Sequence, residues 1–200
     1  MQGNRVDQQL DSSPTPGPPA PMPSAPAAPG WALFGWRWFR DVILAGLIAL
    51  LFVLFLYQPV RVEGFSMMPR LENNERIFIN KFIYNFEDIH RGDVVVFWYP
   101  LDTSKSFIKR VIGLPGDRVQ IVHGRVYVNG RRLVEPYVLP RYRDPWSYPE
   151  VVVPAHHYFV LGDHRNSSND SRSWGCLDRD FIYGKASFAY WPMDRLGLVH

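Results

Sequence analysis

At 200 residues, with a net charge of +3 and a pI near 9.1, the chain is sized for one ordinary domain and is far from the charge density of a nucleic-acid-binding protein. Its lysines and arginines are dispersed, with no cluster that would track phosphates. The single cysteine, Cys176, excludes an intrachain disulfide and a cysteine-rich zinc site, while seven tryptophans and 15% aromatics fit a β-rich core or contact with a membrane.

Residues 1–30 are polar and then rich in Pro, Ala and Ser, and residues 11–30 alone hold eight of the 18 prolines. Such a segment has too little apolar surface to offset the entropy of ordering, so a disordered or partly polyproline II tail is expected. From Val42 to Tyr57 the chain reads VILAGLIALLFVLFLY, 16 residues without a charge. That is short of the ~20 residues that cross a hydrocarbon core, but the flanks extend it. Trp31, Trp36, Trp38 and Phe39 are placed as an interfacial aromatic belt, Arg37 and Arg40 sit just outside, and Pro59 with Val60 prolongs the far end. A small soluble domain has little use for a helix apolar on every face. No small-residue cleavage pattern follows at Gln58-Pro59-Val60-Arg61. The expectation is a tail and interfacial segment over 1–40, an uncleaved transmembrane anchor over 41–57, and a cytoplasmic N-terminus favoured by Arg37 and Arg40.

The remaining 143 residues read as mainly β. Alternating or wholly apolar short runs recur at Arg76–Ile79, Val94–Tyr99, Phe107–Ile112, Val119–Val122, Val126–Val128, Tyr158–Leu161 and Phe181–Trp191. His123-Gly124 and Asn129-Gly130 are two-residue hairpin candidates. No 12-residue stretch has clean helical periodicity, and the expected fold is a partly open β-barrel-like domain over 58–200.

Three segments carry chemistry, and a fourth, Arg91–Phe97, reads as a structural turn feeding a buried strand. In Glu63-Gly64-Phe65-Ser66-Met67-Met68-Pro69 a serine sits between a glycine turn and a proline, where it can be exposed with its backbone N–H free. In Phe107-Ile108-Lys109-Arg110-Val111 strand alternation puts Phe107, Lys109 and Val111 on one face. Such a lysine either loses hydration, so that its neutral amine can act as a base, or lays its stem on apolar surface and sends its head to water. Gly162–Arg172 (GDHRNSSNDSR) is a dense run of short hydrogen-bonding residues after an apolar strand, either a loop supporting a site or an exposed turn.

Together, Ser66-Met67-Met68-Pro69, Lys109 43 residues later and the Gly162–Arg172 loop closely resemble the bacterial type I signal peptidases over about residues 58–191. The resemblance implies an extracytoplasmic domain anchored in the plasma or thylakoid membrane. It implies Ser66 as nucleophile and Lys109 as general base, with no cofactor and no metal. By position, Ser168 would orient the lysine amine, Asp170 and Arg172 would pair, and Asp163 would face Arg110. Val62, Gly64, Met67, Leu71, Phe107 and Ile108 would line pockets for the small residues of an Ala-x-Ala signal. The implied partners are signal peptides of exported preproteins and membrane lipid, with no nucleic acid and a monomeric enzyme. Three features depart from the family. Gly64 replaces a hydroxyl residue that helps bind the oxyanion in some members, Arg70 replaces the common threonine, and only 61 residues separate Lys109 from Asp170, too few for a large inserted subdomain.

The rivals are weaker. A Ser/His/Asp hydrolase would recruit His156, His157 or His164, none of which lies on a strand comparable to the lysine's. The eukaryotic-type signal peptidases place histidine where this chain has Lys109, and the histidines lack the spacing of zinc signatures. A dyad peptidase for a specialised substrate, such as a conjugative pilin or the chain itself, and a non-catalytic membrane-tethered scaffold are the remaining alternatives.

Overall fold

The computed structural model describes Gly17 and residues 30–199, with side chains from Gly35 onward. The Pro-rich tail and Trp31 therefore lie outside the described side chains. Helix α1, Gly30–Leu56, starts well before the apolar run, so Trp36, Trp38 and Phe39 are helical. Within the 22 residues Gly35–Leu56 an 18-residue window reaches a mean hydropathy of 2.4, with none of it buried. Those 22 residues, at 1.5 Å each, measure about 33 Å, long enough for a hydrocarbon core of ~30 Å. The apolar span does not run on through Pro59 and Val60. Tyr57–Arg61 is a strand, β1, paired antiparallel with β2 (Arg76–Asn80) from Tyr57↔Asn80 to Arg61↔Arg76. Proline is tolerated there because β1 is an edge.

The other strands are β3 (Val94–Tyr99), β4 (Asp102–Gly113), β5 (Arg118–Val122), β6 (Arg125–Val128), β7 (Arg131–Arg132), β8 (Tyr148–Val152), β9 (His157–Leu161), β10 (Leu177–Asp178), β11 (Ile182–Trp191) and β12 (Gly197–Leu198). A one-turn helix, α2, covers Ser171–Trp174. The fold is mainly β, as expected, in two open antiparallel sheets. The larger has the order β1-β2-β11-β3-β4-β9-β10 with β12 beside β11, and the smaller the order β7-β6-β5-β8. His123-Gly124 and Asn129-Gly130 make the two-residue hairpin turns, with positive φ at all four residues.

Strand β3 shows why part of the sequence lacks alternation. Val94 and Val96 pack into one core with Met67, Leu71, Ile77 and Ile79, and Val95 and Phe97 pack into another with Val111, Val160 and Leu177. Both faces are buried, so four apolar residues run in succession. This twofold-buried strand is the neighbour of β4, which carries Lys109.

Candidate active site

Lys109 lies opposite Val95 in the β3–β4 ladder, and β9 pairs with β4 on its other edge from Arg110 onward. Only 3% of the residue is exposed. Its Nζ donates to Ser66 Oγ at 2.8 Å and to the Ile108 carbonyl at 3.0 Å, so the head stays inside and does not snorkel to water. Burial strips the ammonium of hydration and lowers its pKa from 10.5 to about 8, although Asp170 and Asp163 pull the other way. At pH 7.5 roughly one amine in four is then neutral, against about one in a thousand for a lysine in water.

Ser66 stands on an irregular segment between β1 and β2. Met67 and Leu71, 2% and 1% exposed, fasten this segment to the core, each contributing on the order of 2 kcal/mol. Gly64 has φ +97°, a conformation that disfavours any Cβ, and its N–H donates to Asn73 Oδ1 at 2.9 Å. Among the described residues the Ser66 N–H has no protein acceptor, so it is available to a ligand.

The Gly162–Arg172 loop packs against this segment. The His164 N–H donates to the Ser66 carbonyl at 3.0 Å, and the His164 ring Nδ1 contacts the Phe65 carbonyl at 3.0 Å. Gly162 is required by crowding, since a Cβ there would lie 2.5 Å from Ser66 O and 2.2 Å from Ser168 Oγ. Both carboxylates of the loop are taken by arginines and not by the lysine amine. Arg110 grips Asp163 through Nε and Nη2 at 2.9 and 2.7 Å, with both side chains all but fully buried. Arg172 grips Asp170 in the same two-pronged way at 2.8 Å and also donates to Asp144 at 2.7 Å.

Two expected placements differ. Ser168 Oγ is buried but has no hydrogen-bond partner, so it does not orient the lysine amine in this arrangement. Leu71 does not line a pocket; it belongs to the core beneath the segment. Val62, Gly64, Met67, Phe107 and Ile108 do line a cleft of about 280 Å³ that also contains Ser66 and Lys109. Val60, Val96, Ser106 and Tyr183 are among its other lining residues. Val60 lies just past the expected anchor of 41–57, Val96 falls in the Arg91–Phe97 segment read as structural, and Ser106 and Tyr183 belong to no motif.

A C-terminal strap was also illegible in the sequence. Arg195 donates to the carbonyls of Pro69 and Arg70 at 2.8 and 3.2 Å and pairs with Glu72 and Glu75. Arg70, the residue replacing threonine, turns outward from the cleft and donates to the Leu198 carbonyl at 2.6 Å. His156 and His157 lie away from the cleft, on Asp180 and Ala155 respectively.

Residues 35–191 match the family model described as signal peptidase, peptidase S26. The chain belongs to that family. It is 42% identical over 151 residues to a signal peptidase I of Leptolyngbya laminosa, covering 72% of this chain and 73% of the relative. It is 37% identical over 167 residues to a signal peptidase I of Bacillus amyloliquefaciens, covering 78% and 86%. A crystal structure of a signal peptidase I from Enterococcus faecalis aligns over 50% of this chain and 98% of that one, with 29% identity and a TM-score of 0.46. The matched region takes in the membrane-length part of α1 together with every residue of the cleft.

Proposed function

We propose that this signal peptidase cleaves signal peptides from exported preproteins after small residues of the Ala-x-Ala type, using Ser66 as nucleophile and Lys109 as general base. The observation that carries the reading is the 2.8 Å bond between a buried, easily deprotonated amine and the serine hydroxyl. Neutral Lys109 takes the Ser66 proton as Oγ adds to the scissile carbonyl, and the Ser66 N–H is placed to meet the developing oxyanion. The resulting ammonium gives its proton to the departing amine. Neutral again, Lys109 takes a proton from the water that attacks the acyl ester, then returns it to Ser66 Oγ as the acyl group leaves.

Desolvation is what makes the lysine usable, and the two arginine–carboxylate pairs protect it. An unpaired Asp163 or Asp170 beside the amine would stabilise the ammonium and remove the base. The narrow cleft, walled by Val62, Met67, Ile108 and Val96, suits short apolar side chains. Helix α1 would span the membrane with the N-terminus cytoplasmic and the β domain outside, next to emerging precursors.

The test is cleavage of a model precursor in detergent, with the new N-terminus sequenced. Ser66→Ala and Lys109→Arg are expected to be folded and inactive, because a guanidinium stays protonated and cannot act as the base. Substantial cleavage by a folded Lys109→Arg protein would falsify the dyad.

A further inference from the structure

Gly64 offers no side-chain donor, and its N–H is already committed to Asn73. Oxyanion binding at this site therefore leans on the Ser66 N–H. That N–H belongs to the same peptide unit as the Phe65 carbonyl, and in a trans peptide the two point in opposite directions. Whatever fixes the Phe65 oxygen fixes the direction of the Ser66 N–H.

Two donors reach that oxygen, Met68 N at 3.1 Å and His164 Nδ1 at 3.0 Å. A carbonyl only accepts, so the ring carries its hydrogen on Nδ1. The imidazole is held in place by its own backbone N–H on the Ser66 carbonyl and by Tyr142, whose ring centroid lies 4.3 Å away. His164 thus grips the peptides on both sides of the Ser66 Cα. Hydrogen bonds to a carbonyl also polarise the peptide it belongs to, which makes that peptide's N–H a better donor.

We propose that His164 is a positioning residue whose Nδ1–H, bonded to the Phe65 carbonyl, aims and polarises the Ser66 N–H as the oxyanion donor. This rests on Ser66 being the nucleophile. It assigns the histidine a role unrelated to a Ser/His/Asp triad, since the ring meets the backbone beside the nucleophile and the hydroxyl is bonded by the lysine.

Two pairs of variants separate a donor from a packing residue. His164→Phe keeps a ring against Tyr142 and loses the donor. His164→Asn places an amide N–H at the same distance from Cβ as Nδ1, and His164→Leu matches the asparagine in shape without the donor. In His164→Phe and His164→Leu, kcat is expected to fall between roughly 10- and 100-fold, with KM changing by less than about twofold, as for a misdirected transition-state contact. His164→Asn is expected to recover most of kcat, with thermal melts checking that each variant is folded. Near-parental kcat in a folded His164→Phe, or equal kcat in the Asn and Leu variants, overturns the proposal. Should His164→Phe not fold, the Asn/Leu pair decides alone. Ser66→Ala, measured alongside, keeps the two readings apart. Cleavage by Ser66→Ala removes the nucleophile assignment, whereas an inactive Ser66→Ala with a fully active His164→Phe removes only the role of His164.

Discussion

Ser66 and Lys109 reach their 2.8 Å contact from segments built in different ways. Lys109 sits in β4, where the ladder to β3 runs from Val94↔Arg110 to Trp98↔Ser106 and β9 pairs on the other edge from Arg110. Its backbone is fixed many times over. The Ser66 segment has no ladder between β1 and β2. It is held by Asn73 on Gly64, His164 on Phe65 and Ser66, Glu75 on the Glu72 N–H, and Arg195 on Pro69 and Arg70. A redundant strand and a segment pinned bond by bond should fail differently. Damage to the strand packing around Lys109 is expected to cost stability first, and damage to the Ser66 segment to cost activity first.

The largest effect should come from the strand side. Arg110→Ala leaves Asp163 charged and buried without its partner, an arrangement that typically costs ~3–5 kcal/mol. Denaturant melts should show a lower midpoint with an unchanged slope. Next is Gly162→Ala, where the new Cβ must displace the Ser66 carbonyl. Here kcat/KM is expected to fall by about 100-fold while the protein still melts cooperatively.

Lys109→Met sharpens the contrast by removing the proposed base and its burial cost together. The folded pKa of about 8 lies below the ordinary 10.5, so folding disfavours the ammonium. The penalty, roughly 3 kcal/mol at most, is borne in full below pH 8, shrinks between 8 and 10.5, and vanishes above. The Lys109→Met protein is therefore expected to be inactive yet more stable than the parent by about 1–3 kcal/mol at pH 7, less the lost hydrogen bonds. Melts at pH 7 and 10.5 should show that gain disappearing. Parental cleavage should rise with pH through an acid limb near 8. The smallest effect is that of Gly64→Ser, whose Cβ meets no atom within 4 Å but which must adopt φ +97°. It is expected to lose about 1 kcal/mol of stability and severalfold in kcat, with the added hydroxyl not repairing the loss.

The same contrast decides what could be read in advance. Strands β2, β3, β5, β6 and β9 were legible because burial writes a period of two, or an unbroken apolar run, into the residues. β1 and β8 were missed because each contains a proline and keeps most of its residues exposed, so no alternation marks them. Lys109 was legible as an amine among apolar neighbours. The pins on the Ser66 segment were not: Arg195 stands 120 residues from Glu75, and no local pattern joins them. His164 drew attention only as a candidate base, since nothing in a sequence tells a ring that grips a carbonyl from one that takes a proton.

Leu56 ends α1 and Tyr57 begins β1, so no linker lies between helix and sheet. Ten residues separate Leu56 from Ser66, and at most ~3.6 Å per residue keeps the hydroxyl within about 36 Å of the helix end. On a leash that short, an enzyme anchored by α1 as proposed would meet a precursor held in the same bilayer as a population per unit area, with the tether setting the local concentration. Turnover in vesicles then follows the number of substrates per lipid. Adding buffer is expected to leave it unchanged, and adding empty lipid to the same membranes to slow it.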